Sequence, residues 1–304
     1  MFFINKYKVK KLFVYFVSLG FIFLSVFLYC KLQNFKKKRV EYALRENITD
    51  VVNSFSGKYT FLVKVLTDKG IIFSYHSNMR VVAASLIKVP IMITIFYAIK
   101  DGLLSLDDEI TLKEEDKATG SGVLKYKKFP YKLSLKKLLW FMIVHSDNTA
   151  TNRIIDILGF DYINKIFNQI GLKETVLMRK MMDFRARNKG RENYTSCRDI
   201  VYLLEGIYRK SMFTSGDSEF MLSLLKRQTI NDRIPKYLPS SVDIAHKTGL
   251  EKGIVSDAGI IFSKECDYAI CVMASRFKTY KEAKDFIAKL SLVVYNTLKT
   301  YFMD

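Results

Sequence analysis

The sequence has few of the residues that build disulfide frameworks and zinc sites. Its 304 residues include only four cysteines and three histidines. The cysteines form no C-x-x-C pair, and no histidine belongs to an H-E-x-x-H motif. Both absences argue against a disulfide-stapled domain and against a zinc hydrolase. Buried thiols without a disulfide are therefore the expectation for Cys266 and Cys271, although the two lie close enough in sequence to face each other across a hairpin.

Acidic residues are missing from the first 39 positions, where nine lysines and arginines occur. These nine carry almost half of the net charge of +19. The densest basic runs flank an apolar segment and do not interleave with aromatic residues in a folded region, which argues against nucleic-acid binding. The remaining positive charge is spread along the chain. It suits a protein beside an anionic membrane or cell-wall surface, and it equally suits a simple lysine-rich composition.

An apolar stretch of 19 residues runs from Leu12 to Cys30. At a helical rise of about 1.5 Å per residue, it just spans a hydrocarbon core of roughly 30 Å. Tyr29 before Cys30 fits neither an A-x-A cleavage site nor a lipoprotein site, which favours an uncleaved signal anchor over a cleaved signal. We expect residues 1–44 to form this anchor with a basic juxtamembrane linker, and residues 45–304 to form the folded domain. Basic residues on both sides leave the orientation open.

The pattern beyond residue 45 predicts an α+β fold. Five short runs rich in β-branched and aromatic residues are predicted strands: 59–66, 70–75, 242–248, 258–263 and 268–274. A mostly helical block of about 101–235 separates the two groups, and an amphipathic helix near 281–302 ends the chain. This order predicts a five-stranded antiparallel sheet flanked by N- and C-terminal helices, with an all-helical lobe inserted.

Three short motifs stand out within this frame: Ser85-Leu86-Ile87-Lys88, Ser146-Asp147-Asn148 and Lys247-Thr248-Gly249. Each is common by itself, and Ser85 alone would be a plain helix N-cap. Their order and their spacing, 61 and then 101 residues, make the set far more specific. From about residue 45 to its end, the chain resembles the class A β-lactamases and penicillin-binding proteins, which carry this motif set. No G-x-S-x-G motif competes with it.

The residue types in the first motif suggest nucleophilic catalysis. A serine hydroxyl becomes a useful nucleophile when a neighbouring base takes its proton. Ser85 and Lys88 are three residues apart and share one face of a predicted helix over 85–100, so Lys88 is the candidate base. A lysine serves as a base only if its pKa is lowered, by burial or by a nearby cation such as Lys247. The helix start also directs free N–H groups and the positive dipole end towards the site.

The resemblance implies roles for the polar residues of the other two motifs. Ser146 would pass a proton to the leaving nitrogen of the substrate, and Asn148 would bind the amide side chain of the substrate. Lys247 would polarise Ser146 and, together with Thr248, hold the substrate carboxylate. These four residues are therefore candidate site residues.

The resemblance also implies backbone roles. The N–H groups of Ser85 and Leu250 would form an oxyanion hole. Gly249 would leave room for a substrate lying along the strand. His246 precedes Lys247, so its side chain is expected on the opposite face of the strand, as a packing residue. This chemistry requires no metal and no cofactor.

One residue expected from the resemblance is missing. The family's deacylating glutamate follows an arginine in an R-x-E-x-E-L-N-like stretch, and the stretch here is Arg179-Lys180-Met181-Met182-Asp183-Phe184-Arg185. Met181 occupies the glutamate position, and a methionine cannot deprotonate water. Three solutions stay open: Asp183 acts on the water, Glu192 folds back although its position suggests a structural partner for Arg179, or the acyl-enzyme is long-lived.

The sequence therefore predicts a serine hydrolase that acts on β-lactams through an acyl-enzyme at Ser85. The same residues would serve a D-alanyl-D-alanine carboxypeptidase or another peptidoglycan-peptide hydrolase, and a persistent adduct would suit a non-catalytic penicillin-binding sensor. Both substrate classes are found outside the cytoplasmic membrane. We expect a single-pass membrane protein with its catalytic domain outside, a small β-lactam or cell-wall peptide as substrate, and no nucleic-acid partner.

Overall fold

The computed structural model of the chain describes residues 6–67 and 70–303. Its α-helices are α1 Lys6–Asn53, α2 Lys88–Lys100, α3 Leu135–Val144, α4 Asn148–Leu158, α5 Phe160–Gln169, α6 Phe184–Asn188, α7 Cys197–Tyr208, α8 Ser215–Lys226 and α9 Tyr280–Phe302. Its strands are β1 Lys58–Val65, β2 Ile72–Tyr75, β3 Val81–Val82, β4 Glu109–Leu112, β5 Tyr131–Ser134, β6 Tyr194–Thr195, β7 Asp243–Glu251, β8 Ile254–Phe262 and β9 Tyr268–Ser275.

Five strands form one antiparallel sheet in the order β2-β1-β9-β8-β7, which confirms the predicted α+β architecture. Strand β8 begins at Ile254, earlier than predicted, because Gly253 with a φ of 74° turns β7 directly into β8. Asp68 and Lys69, in the predicted turn between β1 and β2, lie outside the described residues. Strand β7 lies at an edge of the sheet, so one side of its backbone can receive a ligand.

Two apolar cores cover the two faces of the sheet. One core lies between the sheet and a group of helices made up of α2, α3, α4, α5, α7 and α8. In α2, the side chains from Val89 to Phe96 are all buried. The other lies between the sheet and the terminal helices α1 and α9. The amphipathic helix predicted near 281–302 is confirmed as α9, in which Leu290, Val294 and Leu298 are at most 1% exposed.

Helix α1 runs without interruption from the apolar N-terminal segment into the folded domain. The predicted boundary after residue 44 falls inside this helix, where Val40, Leu44 and Ile48 pack in the same core as α9. One described helix, this one, is long and apolar enough to cross a membrane. A membrane anchor and a signal segment both satisfy that criterion.

The region between 101 and 235 is not purely helical, which corrects the predicted all-helical lobe. Strands β4 and β5 pair with each other, and β6 pairs with β3, which precedes the lobe. These strands contain only two to four residues, too few to give the alternating apolar pattern of a strand. Among the described residues no disulfide forms, and Cys197, Cys266 and Cys271 are buried, as expected for the last two.

Candidate active site

Ser85 lies in a tight turn between β3 and α2. A 3₁₀ turn spans Ala84–Ile87 and the α-helix begins at Lys88, so the helix predicted from residue 85 starts later than expected. Ala84 has a φ of 46°, a left-handed conformation that costs free energy in a residue other than glycine. The Ser85 hydroxyl caps no helix and forms no hydrogen bond within the described parts of the chain. It faces an open cleft.

Two buried lysines converge on the hydroxyl of Ser146. Lys88 Nζ donates to Ser146 Oγ at 3.2 Å, to its carbonyl oxygen at 2.5 Å and to Asn148 Oδ1 at 2.9 Å. Lys247 Nζ donates to Ser146 Oγ at 2.9 Å and to the carbonyl oxygen of Thr248 at 3.0 Å. Ser146 itself has a left-handed φ of 52°. The three sequence motifs therefore meet at one hydroxyl group.

Burial is the main cause that lowers the pKa of each lysine. The pKa of Lys88 falls well below its ordinary value because the side chain is fully buried and the charge of Lys247 is near, although Asp147 opposes the shift. Burial also lowers the pKa of Lys247 to about 7, with Asp257 opposing this shift and Arg233 reinforcing it. The expected effect of one lysine on the other thus appears at Lys88, where it is secondary to burial. A lysine with such a pKa supplies the neutral amine that a general base requires.

Asp147 fixes the loop between α3 and α4 that carries the second motif. Its carboxylate caps α4 by accepting the N–H of Ala150 at 2.9 Å, and it accepts the N–H groups of Val123 and Leu124 at 2.6 and 2.8 Å. A Cβ at Gly122 would lie only 2.3 Å from Asp147 Oδ2, and the φ of Gly122 is 115°. Position 122 therefore requires glycine. The loop around it is held by the Asp147 carboxylate, which accepts its backbone N–H groups.

The cleft in front of Ser85 has a volume of about 470 Å³, within the range of small-molecule sites. Five predicted site residues line it: Ser85, Ser146, Asn148, Thr248 and Leu250. Lys88 and Lys247 are buried and are not among its lining residues. Residues that the sequence did not identify complete the wall: Gly120, Ser121, Met182, Ile230, Asp232, Arg233, Glu251, Lys252, Tyr280 and Lys284. They belong to no common motif, and only the fold brings them together.

Gly249 allows close packing behind the site. A Cβ at this position would lie 2.2 Å from Ser256 Oγ and 3.4 Å from the Cβ of Ala84. The missing side chain therefore lets β7 approach both β8 and the turn that carries Ser85. This geometry gives Gly249 a structural role, and the role in substrate binding implied by the resemblance stays a prediction.

His246 is not among the residues that line the cleft, in agreement with its expected orientation. It is buried, with Nδ1 at 3.0 Å from Asp257 Oδ1 and Nε2 at 3.0 Å from Asn231 Oδ1. The expected packing residue is thus a member of a buried polar network.

A family model described as the β-lactamase enzyme family matches residues 43–298. The chain belongs to the β-lactamase enzyme family. It is 23% identical over 263 residues to a β-lactamase of Bacteroides uniformis, an alignment that covers 80% of this chain and 87% of the relative.

Two solved structures illustrate the similarity. A β-lactamase of Sphaerobacter thermophilus matches with a TM-score of 0.78 at 26% identity, over 85% of this chain and 97% of the other. A leucine-to-glutamate variant of PBP-A, solved as an acyl-enzyme complex with penicillin G, matches with a TM-score of 0.78 at 27% identity, over 85% and 97%. Together with the family match, these similarities support a hydrolase of the β-lactamase type.

In this β-lactamase-family protein, Arg179 and Glu192 form the ion pair suggested by their positions. Arg179 Nε lies 2.7 Å from Glu192 Oε1, and both side chains are less than a tenth exposed. Arg187 and Glu251 extend the pair into a network of two arginines and two glutamates, with contacts of 3.2 to 3.3 Å. Glu192 is therefore a structural partner of Arg179, and it is not among the residues that line the cleft.

Neither methionine of the same loop supplies an acid or a base. Asn152 holds the backbone of Met181 through its N–H at 2.7 Å and its carbonyl at 3.1 Å, and the Met181 side chain is packed in the core. Met182, with a φ of 65°, lines the cleft. Asp183 caps α6 by accepting the N–H of Ala186 at 2.9 Å, and it is not a lining residue.

Two carboxylates line the cleft within the described ranges, and cations engage both. Asp232 lies 2.7 Å from Lys284 Nζ and 2.9 Å from Arg233 Nη1. Glu251 belongs to the arginine–glutamate network of the loop. No carboxylate free of an ion pair therefore lines the cleft in the part of the chain that the structure covers.

The low pKa of Lys247 predicts a pH dependence of stability. From about pH 7 to its ordinary pKa near 10.5, the unfolded chain binds a proton at Lys247 that the folded chain lacks, so folding stability rises with pH. We expect Lys247→Met to reduce this rise by about 1 kcal/mol per pH unit between about pH 7.5 and 9.5. Urea unfolding at several pH values measures it. Exposed Lys252→Met should follow the unmodified chain, and parallel curves for all three proteins would contradict the prediction.

Proposed function

We propose that this protein is a membrane-anchored serine hydrolase that β-lactams acylate at Ser85 and that releases the acyl group slowly. The observation that carries the proposal is the convergence of Lys88 and Lys247 on Ser146, beside a Ser85 hydroxyl that faces the cleft. A nucleophile, a base with lowered pKa and a second hydroxyl able to relay a proton are the groups that acyl transfer requires.

These residues alone account for every proton transferred during acylation. Ser85 Oγ attacks the β-lactam carbonyl carbon while its proton passes to the neutral amine of Lys88. The N–H groups of Ser85 and Leu250 stabilise the negative oxygen of the intermediate. The ring C–N bond then breaks, and its nitrogen takes the hydroxyl proton of Ser146. Lys88, 3.2 Å away, returns its proton to Ser146 and is neutral again.

The part of the cleft next to Ser146 provides for a substrate carboxylate. Lys247 and Thr248 would bind that carboxylate, and Asn148 would bind the amide side chain. Arg233 adds a second cation, since its Nε has no hydrogen-bond partner among the described residues and its side chain lines the cleft. This arrangement fits penicillins and also fits peptides that end in a free carboxylate.

Slow release of the acyl group follows from the chemistry of the loop. Hydrolysis of the ester requires a base that activates water, and Met181 stands where the family has a glutamate. Asp183 and Glu192 are engaged elsewhere. The PBP-A variant trapped with penicillin G supports the proposal that a protein of this fold can hold such an adduct.

We also propose a single-pass topology in which residues 1–44 anchor the chain and residues 45–304 form a catalytic domain outside the cytoplasmic membrane. The apolar length of α1 and the location of the substrates support it. We expect activity from a reporter phosphatase that is fused after residue 304 and that folds only outside the cytoplasm. An active cytoplasmic reporter at the same position would overturn this topology.

Acylation is tested by intact mass of the full chain in detergent with a fluorescent penicillin. We expect one adduct on the unmodified protein and none on Ser85→Ala, because the nucleophile is lost. Lys88→Ala should slow acylation about 100- to 10,000-fold, the usual range for a lost general base. Ser121→Ala removes another cleft serine and should acylate normally. An adduct that persists on Ser85→Ala would contradict the proposal.

The lifetime of the adduct separates the candidate activities. A transient adduct with continuing product would establish an efficient β-lactamase. A persistent adduct together with release of D-alanine from a peptide substrate would identify a carboxypeptidase. Persistence with neither activity would identify a penicillin-binding sensor.

A new carboxylate should shorten the adduct lifetime. Met181→Glu introduces a base at the position that the family uses, and we expect penicillin release to accelerate at least ~10-fold. Met178→Glu adds the same charge to an exposed position before the loop and should leave the lifetime unchanged. Time-resolved intact mass measures both. Equal lifetimes in the two variants would show that the missing carboxylate does not limit deacylation.

A further inference from the structure

Asp257 is a buried carboxylate behind the carboxylate-binding end of the cleft. It is 0% exposed, and within the described residues no lysine or arginine forms an ion pair with it. His246 Nδ1 lies 3.0 and 3.2 Å from its two oxygens, and Oδ2 accepts the N–H of Ile234 at 3.1 Å. A buried carboxylate without a lysine or arginine partner is costly. Its location suggests what it contributes.

The contacts of Asp257 connect two parts of that end of the cleft. In the register of β7 and β8, Asp257 lies directly opposite Thr248, which follows Lys247. Its bond to the N–H of Ile234 fixes the start of the 3₁₀ turn Ile234–Tyr237. The residue before that turn is Arg233, which lines the cleft. The Asp257 carboxylate therefore holds the backbone next to Arg233, and its residue pairs across the sheet with the residue that follows Lys247.

Its charge also acts on Lys247. Burial and Arg233 lower the pKa of Lys247, and Asp257 is the carboxylate that opposes them. Because that pKa is only about 7, Lys247 is divided between its ammonium and neutral forms near neutral pH, and a loss of the opposing charge would leave little of it as ammonium. A neutral amine binds a carboxylate far less well than an ammonium group does.

We propose that Asp257 is a positioning residue for the substrate carboxylate: it sets the backbone beside Arg233 and supplies a negative charge close to Lys247. The inference rests on the proposed function, since it concerns how that same cleft recognises its substrate. Asp257 does not touch the substrate. It acts through Lys247 and Arg233.

The other charged and titratable groups around Asp257 show which of them could supply negative charge to Lys247 in its place. His246 and Lys247 come from β7, and Cys271 comes from the neighbouring strand β9. Arg233 and its partner Asp232 precede the 3₁₀ turn, and Lys284 reaches Asp232 from α9. Lys88 donates to the same Ser146 hydroxyl as Lys247. Among these groups, only Asp257 and Asp232 carry negative charge, and Asp232 already pairs with two cations.

The test compares the rate of Ser85 acylation by a penicillin and by its methyl ester, as a function of pH, in the full chain. For the acid, the rate should fall as Lys247 loses its proton. In Asp257→Asn this alkaline limb should move down by about one pH unit, and the rate at about pH 7.5 should fall up to ~10-fold. The ester, which has no carboxylate, should react at nearly its original rate.

Two further variants separate charge from structure. His246→Gln disturbs the same network but keeps the Asp257 carboxylate, so its alkaline limb should stay in place or move up. Ser256→Ala, next to Asp257 on β8, removes a hydroxyl that has no described partner and should match the unmodified protein. A merely structural network would shift Asp257→Asn and His246→Gln in the same direction.

The outcomes decide the proposal even if one variant is unstable. An unchanged limb and an unchanged acid-to-ester ratio in Asp257→Asn would overturn it, and so would a downward shift in His246→Gln. Should Asp257→Asn fail to fold by thermal melting, a downward shift of the His246→Gln limb would still overturn the proposal. Absence of any adduct on the unmodified protein, with acid and ester alike, would instead refute the proposed function.

Discussion

The site depends on one constraint, which is that two lysines are buried against the same serine hydroxyl. Lys88 and Lys247 both donate to Ser146 Oγ, and neither is exposed to solvent. Two ammonium groups so close together in a region of low dielectric constant would repel each other and would lose their hydration. Burial therefore lowers both pKa values, and a neutral amine forms near Ser85. The proposed reactivity of the site would follow from the free-energy cost of burying two charged lysines.

The surrounding structure keeps these groups in place at some expense to stability. Ala84 and Ser146 both adopt left-handed backbone conformations, one beside the nucleophile and the other at the shared hydroxyl. Asp147 connects the loop of Ser146 to the loop at Val123 by accepting its backbone N–H. Gly249 lets the edge strand β7 approach the turn that carries Ser85. The two apolar cores on either side of the sheet stabilise the fold that holds these elements together.

The cleft is unequally equipped for the two halves of an acyl-enzyme cycle. The groups proposed to bind an anionic substrate and to attack its carbonyl are present, and Asp257 lies opposite Thr248 in the neighbouring strand. On the loop of residues 179–192 the carboxylates are committed to ion pairs or to a helix cap. Met181 occupies the position of the family's base, which is the reason for our proposal that the protein acquires an acyl group more readily than it releases one.

The sequence by itself determined the five strands of the sheet, the last helix and the three motifs, because periodicity and short-range residue chemistry are local properties. The pairing of Arg179 with Glu192 also followed from position. Short strands such as β3 and β6 lacked the residues to give a pattern. Three features could not be predicted from the sequence: Arg233 and Lys284 reach the cleft, Asp257 lies opposite Thr248, and burial lowers the pKa of both lysines. Desolvation and contacts between distant segments exist only once the chain has folded.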